Sequence, residues 1–375
     1  MVIIRKVETK KMMKKFASFA NELYADSPYY VPELEMDTFN MFDRKTNPGL
    51  DFTEVQPFLA YKDEKVVGRI CGIINHHANQ KWNTETVRFG MIDFIDDKEV
   101  SEALLNAVEQ WGKAKGCSQC QGPLGITDFD KEGMLIEDFD KVGSMIAIYN
   151  HPYYPIHMEQ CHYEKAVDWL QVRLNVPDEM PERFLRVEKF VQEKFNLHIA
   201  HPTRRDVIKG EYGRKLFKLL NTCYEPLFGF CAFTDEQAQA FVDQYMTFLD
   251  LRLVTFVENE ENELVGLAIT MPSMNEALQK SKGKMLPFGW FHLLKAIKFH
   301  SSDAVDFLLI AIRPDYQGKG VNTIIFHNLY YAYHALGYKT AETGPQLETN
   351  HKELSQWDLF SPEFIKRRRC YTKNI

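Results

Sequence analysis

The chain has 375 residues, 45% hydrophobic and 26% charged, with 45 Lys and Arg against 52 Asp and Glu and a formal net charge of −7. That length predicts two or three domains, and 20 Gly with 16 Pro are too few for a collagen-like or low-complexity chain. The negative balance argues against nucleic acid or an anionic membrane as a partner. No apolar run reaches the roughly 18 residues of a membrane span. The stretch Met1-Val-Ile-Ile-Arg5 meets charge too early for a signal peptide. A cytoplasmic protein is expected, its seven cysteines free thiols in cores.

The elements follow in chain order. Val2–Val7 is β-branched and predicts a strand; Lys11–Tyr24 has apolar residues at helical spacing. Phe58–Ile74 predicts a hairpin turning at Lys62–Lys65, and Arg88–Ile95 another strand. Lys98–Lys115 is a helix stopped by Gly116, and Cys117–Gln121 a strand ending at Gly122-Pro123. Asn175–Pro181 is the joint, and Glu182–Phe195 a helix. The same order then returns: strand Leu197–Ala200, helical stretches Tyr212–Tyr224 and Asp235–Leu249, a hairpin of Leu251–Val257 with Leu264–Ile269, strand Val305–Ile312, helix Gly320–Leu336 stopped by Gly337, and strand Thr340–Thr343 before Gly344-Pro345. Both hairpins carry Val-Gly, at Val67-Gly68 and Val265-Gly266. The shared order predicts an internal duplication, with residues 1–174 as the first domain, 175–195 as linker and helix, and 196–375 as the second.

The most informative stretch is Arg313-Pro-Asp-Tyr-Gln317-Gly318-Lys319-Gly320-Val321-Asn322-Thr323. An apolar strand enters a glycine-rich turn that opens a helix. Helix starts leave amides unpaired and carry partial positive charge, and glycine lets an anion approach them. Lys319 and Arg313 add cations. The spacing is neither that of a P-loop nor the dinucleotide fingerprint, so a phosphate site and a plain tight turn are both open on spacing alone.

This stretch resembles the acyl-CoA signature of the GCN5-related N-acetyltransferase (GNAT) superfamily, Gln/Arg-x-x-Gly-x-Gly/Ala. Gln317 to Gly320 match; Asn322 stands where Gly or Ala is usual. The resemblance implies two tandem GNAT-like α/β (α+β) domains, each a mixed, mostly antiparallel sheet flanked by helices. It implies acetyl-CoA, or another acyl-CoA, as cosubstrate. Gln317, Gly318, Lys319, Gly320, Val321, Asn322 and Thr323, with Arg313, would hold the pyrophosphate, and the backbone of Leu309, Ile310, Ala311 and Ile312 the pantetheine arm. The first domain has Asp93, Asp96 and Asp97 in place of the loop. Their repulsion of a pyrophosphate predicts a degenerate copy without CoA.

For chemistry, Glu342 on the fifth strand is a candidate base, its alternative a strand-end carboxylate paired with Lys or Arg; Glu348 and Asp306 are further candidates. Asn350 matches the family's Asn-x-x-Ala-x-x-Leu-Tyr stretch, and Trp357 falls at its Tyr, where indole cannot serve as an acid. Tyr330, Tyr331, Tyr333 and His334 read as core and surface of one helix. Cys117-x-x-Cys120 lacks partners for zinc, so no metal is expected. Lys366–Arg369 reads as a charged guard on an edge strand, and the irregular Pro272–Phe299 as a pocket wall or lid. The expected activity is N-acyl transfer to a small-molecule or peptide amine. A non-catalytic CoA-binding sensor and an aminoacyl transferase are the alternatives.

Overall fold

Helices form where apolar spacing meets a capping side chain. In the computed structural model, which describes residues 1–246, 249–299 and 302–375, Thr9 accepts the Met12 amide at the start of α1 (Lys10–Leu23). The chain gathers into two units. One comprises residues 1–170, 275–292 and 365–375, the other 171–274 and 293–364. Neither is a contiguous half of the sequence: the helix Glu182–Phe195 lies within the second unit, and residues 365–375 lie within the first.

In the first unit, β1 (Ile3–Lys6), β2 (Thr53–Lys62), β3 (Lys65–Asn75) and β4 (Thr86–Phe94) pair antiparallel in sequence order. β4 runs parallel to β5 (Gln119–Gly122), and the strand Glu363–Asn374 pairs antiparallel with β5. Between β4 and β5 the chain forms α2 (Lys98–Ala114), which buries Val100, Leu104, Leu105 and Val108. β6 (Met134–Glu137) also pairs with the 363–374 strand, and α3 (Tyr153–Gln160) precedes β7 (Glu164–Asn175).

In the second unit, α4 (Glu182–Phe195), β8 (His198–Ala200), α5 (Tyr212–Tyr224) and α6 (Asp235–Phe241) lead to β9 (Val254–Glu258) and β10 (Leu264–Pro272). The helix expected over 235–249 includes residues 247 and 248, which lie outside the described residues. α7 (Asn275–Ser281) lies within the first unit and α8 (Gly289–Phe299) runs from the first unit into the second; β11 (Ala304–Ile312), α9 (Val321–Leu336) and β12 (Thr340–Thr343) follow. Pro272–Phe299 is therefore largely helical rather than irregular. Pairing runs β8-β9-β10-β11 antiparallel, β11 with β12 parallel, and β12 antiparallel with residues 173–175 of β7.

The duplicated marks have a physical cause. A Cβ on Gly68 would lie 2.7 Å from Leu104 of α2, and one on Gly266 3.1 Å from Val321 of α9. In both units glycine lets the helix settle onto the sheet. The fourth strand of each unit also bulges: Met91 and Ile92 together oppose Ile70, and Leu308 is the extra residue between Phe307 and Leu309.

Candidate active site

β11 and β12 pair in parallel only from Ala304–Thr340 to Phe307–Thr343. There the Gly344 amide donates to the Phe307 carbonyl (2.9 Å), and the strands part. Beyond the bulge β11 keeps pairing with β10, and Arg313 N–H donates to Val265 O (2.9 Å). Antiparallel alternation therefore turns Leu309 and Ala311 toward β10 and the backbone of Ile310 and Ile312 away from it. Of the four residues Leu309, Ile310, Ala311 and Ile312, two therefore turn their backbone groups to the edge away from β10. The end of α5 reaches that edge: Tyr224 Oη donates to Ile310 O (3.3 Å) and Cys223 Sγ to Ile312 O (3.2 Å).

At the end of β11 the turn Pro314–Tyr316 leads through extended Gln317 to Gly318 (φ 72°) and Gly320 (φ 83°), the residue capping α9. Both glycines hold the left-handed conformation that other residues resist. The first turn of α9 leaves the amides of Val321 and Asn322 without intrahelical acceptors, at the positive end of a 16-residue helix. Thr323 turns inward, its hydroxyl donating to Gly320 O (2.6 Å). Lys319 Nζ rests 5.1 Å from the ring centres of both Phe195 and Tyr316, an exposed ammonium on an aromatic seat. Arg313 is differently employed. It donates to Asp315 (2.8 and 3.0 Å) and to Glu263 (2.8 Å), fastening the loop to the β9–β10 turn with its charge already matched by carboxylates. Gln317 Nε2 donates to Ile312 O (3.0 Å), bracing the loop.

The first unit has the same split with a differently capped helix start. β4 and β5 part after Arg88–Gln121. Asp97 caps α2, its carboxylate accepting the Glu99 amide (3.0 Å) and a Lys62 ammonium (2.7 Å). A side-chain anion thus occupies the helix start that Gly320 leaves open in the second unit. Tyr154 Oη accepts the Phe94 amide (2.8 Å), and Tyr153 Oη donates to Phe94 O. Asp93 is buried and serves the core, accepting Arg69 Nε (2.7 Å) and Tyr24 Oη (2.9 Å). Asp96 meets His157 Nε2 (3.0 Å). The amides of Phe94 and Glu99 thus already have partners within the chain.

Glu342 Oε1 accepts both Nε and Nη2 of Arg173 (2.9 and 2.7 Å). This is the paired strand-end carboxylate of the alternative reading. Asp306, its register neighbour, is buried. Asn350 begins a short helix, α10 (His351–Leu354), and Nδ2 donates to Glu353 Oε2 (2.7 Å). Burial pushes the Glu353 carboxyl up to about 7, against the pull of a hydrogen bond with Gln346. Gln346 Oε1 in turn accepts Trp357 Nε1 (2.8 Å), and Trp357, fully buried, packs edge-on against Phe307 (5.3 Å). A connected layer, Glu353–Gln346–Trp357–Phe307, thus ends where β11 and β12 part. Glu353 was not singled out from the sequence; nothing in a Glu three residues past Asn350 announces burial.

Other singled-out residues are structural. Tyr330 Oη donates to Asp178 O and His334 Nε2 to Pro177 O (both 2.8 Å), pinning α9 to the joint. Cys117 and Cys120 are buried free thiols, that of Cys120 raised by burial to about 12. Among the described residues no group of three or more His, Cys, Asp or Glu is placed to hold a metal. Lys366–Arg369 is not an edge guard. Its strand pairs with β5 and β6, Arg369 donates to Asp168 (2.8 and 3.0 Å), and Arg368 is buried with Nε donating to Ile148 O (3.1 Å).

No family model matches the chain. It is 27% identical over 380 residues to Protein YghO of Escherichia coli K12, covering 100% of this chain and 95% of that protein. It is 28% identical over 313 residues to a bacterial ceramide synthase of Caulobacter vibrioides, covering 83% and 80%. Among solved structures, a tandem GNAT protein from the clavulanic acid biosynthesis pathway aligns with TM-score 0.57 at 10% identity over 100% of this chain and 98% of that one. A GCN5-related N-acetyltransferase from Sphaerobacter thermophilus aligns with TM-score 0.54 at 10% identity over 100% and 95%. These likenesses establish the fold.

Proposed function

We propose that this chain, a tandem GNAT-fold protein, is an acyl-CoA-dependent N-acyltransferase whose second unit carries the reaction and whose acceptor is a long-chain amine. The observation that carries this reading is the parting of β11 and β12 at Phe307–Thr343 with an open, glycine-capped helix start at the end of β11. The backbone amides of Ile310 and Ile312, whose carbonyls already accept Tyr224, Cys223 and Gln317, donate to the pantetheine carbonyls. The amides of Gly318, Gly320, Val321 and Asn322 hold the pyrophosphate, with Lys319 beside them. The amine nitrogen attacks the thioester carbonyl, the C–S bond breaks, and CoA leaves as thiolate. Glu353 takes the proton released by the amine, a role suited to a carboxyl that titrates near neutrality. Arg173 holds Glu342 in an ion pair, so no proton transfer is assigned to Glu342.

The acceptor class rests on the ceramide synthase relative. A ceramide is the amide of a long-chain amino alcohol, so its synthase acylates an amine. Acetyl-CoA is the default donor of the fold; the relative favours a longer acyl group. The test is thiol release from acetyl- and palmitoyl-CoA with and without a long-chain amino alcohol, alongside thermal shift with each donor. Amine-dependent thiol release is expected. Absence of stabilisation by every acyl-CoA overturns the reading.

A further inference from the structure

The segment 284–299 leaves an unusual face uncovered. It is anchored on the first unit: Gly283 O accepts the Glu35 amide (3.2 Å), and Gln279 Nε2 donates to Pro28 O and Tyr30 O (both 3.0 Å). From there Leu286 and Phe288 stand 77% and 70% exposed. α8 follows with its 11 residues divided into two arcs. Gly289, Leu293 and Ala296 turn inward, while Trp290, Phe291, Leu294, Lys295, Lys298 and Phe299 lie outward and exposed. A surface helix ordinarily turns a polar face to water. This one is apolar on both sides, its outward apolar arc broken only by two lysines.

The charge within it is one-sided. Between Glu276 and Asp303 the sequence contains no acidic residue and five lysines, 280, 282, 284, 295 and 298. Lys280 pairs with Glu276 (3.1 Å), and Glu35 lies at the anchoring end beside Gly283, so the unmatched charge is that of Lys295 and Lys298 on the outward arc. The net charge of −7 hides this patch, because an average over the chain says nothing of one helix. We infer that residues 284–299 seat the protein on an anionic lipid surface, with Phe288, Trp290, Phe291 and Phe299 entering the headgroup boundary and the lysines meeting lipid phosphates. Aromatic side chains with lysines alongside are the composition of an interfacial helix, the long lysine stems lying along apolar surface with the ammonium at the headgroups. Among the described residues no helix is long and apolar enough to cross a membrane, so the contact is with the surface. A second copy of the chain is a poor occupant, since a two-fold contact would set this lysine patch against itself. The inference stands apart from the acyl-transfer reading.

The test is cosedimentation of the full chain with phosphatidylcholine vesicles and with vesicles about one third phosphatidylglycerol. Binding to the anionic vesicles at least tenfold tighter than to the neutral ones is expected. Phe288→Ser with Phe299→Ser, and separately Lys295→Glu with Lys298→Glu, should each weaken it at least tenfold. The altered side chains are exposed, so the melting temperature should hold. The fluorescence of the unaltered protein should shift to the blue on anionic vesicles, and Trp290→Phe should remove most of the shift. No vesicle binding by the unaltered chain, or binding as tight in both pairs of variants as in the unaltered chain, overturns the inference. So does a dimer that the Phe288/Phe299 variant dissolves, which would make a second copy the occupant. Acyl transfer between soluble short-chain substrates should survive in every variant, which separates this outcome from failure of the proposed activity.

Discussion

A Cβ placed on Gly320 lies 3.0 Å from Cγ2 of Val191, whereas one placed on Gly318 meets nothing within 4 Å. Both residues have positive φ, at 83° and 72°, so any other side chain carries backbone strain of about 1–2 kcal/mol. Only Gly320 adds a collision with α4. Gly320→Ala is therefore expected to lose more stability than Gly318→Ala in denaturant titration, and Gly320→Val more still. Gly318→Asn suits the affinity test, because Asn tolerates this conformation. It should keep the melting temperature within a few degrees and weaken acyl-CoA binding at least tenfold. Equal affinity in that folded variant would remove the loop from the proposed site.

Calorimetric titration with a non-hydrolysable acyl-CoA analogue should give one site per chain. In the first unit Asp97 already caps the helix start, and Tyr153 and Tyr154 already bond Phe94. Asp97→Gly removes that anion and should cost only a few tenths of a kcal/mol, since Gly is itself an acceptable cap. It should not create a second site while the two tyrosines remain. A stoichiometry of two in either protein would contradict this account.

Burial raises the Asp128 carboxyl from 3.8 to about 7, with Arg88 and Lys81 opposing and Asp130 adding to the rise. Oδ1 of Asp128 and Oε1 of Glu132 are both buried without a hydrogen-bond partner. A carboxyl raised on folding favours the protonated native state, so this stability is full below about pH 4 and is lost as pH climbs toward 7. Asp128→Asn should leave stability near pH 4 almost unchanged and raise it at pH 8. Urea midpoints for both proteins at the two pH values give the sign directly; a loss at pH 8 would refute it.

If Glu353 accepts the amine proton, kcat/KM should rise with pH through about 7, the value at which burial sets this carboxyl. Glu353→Gln should flatten that limb and lower kcat roughly 10²–10⁴-fold, with KM for the acyl-CoA little changed. Glu342→Gln should instead cost stability, through the loss of charge against Arg173, and leave the pH profile in place. A limb that survives in Glu353→Gln would reassign the base.

Periodicity and glycine placement made most of the scaffold legible. The hairpins, the two long helices with their Gly stops, and the loop at 313–323 are written in local residue patterns. What sequence could not give was pairing at a distance. The stretch 366–369 reads as a charged strand, but only the fold supplies Asp168 as the partner that makes it interior. Arg313 reads as a phosphate ligand, and only the fold brings Glu263, fifty residues away, beside it. Glu353 gains its character from burial, which no local pattern records. The outward arc of α8 was hidden for the opposite reason: its apolar residues read as the wall or lid of a pocket, and only the structure shows them uncovered.

The strand that places Cys370 and Tyr371 in the first unit, both nearly inaccessible to water, has a consequence for how the chain is made. Synthesis runs from the amino end, so residues 1–170 leave the ribosome long before Tyr371 exists. Tyr371 belongs to the same apolar core as Phe89, Leu104 and Tyr163. Until it arrives, β5 has β4 on one side and nothing on the other, and that core lacks a wall. The unit begun first is completed only after residues 171–364 have been translated, and a nascent chain halted at about residue 360 carries an open sheet edge for chaperones to guard.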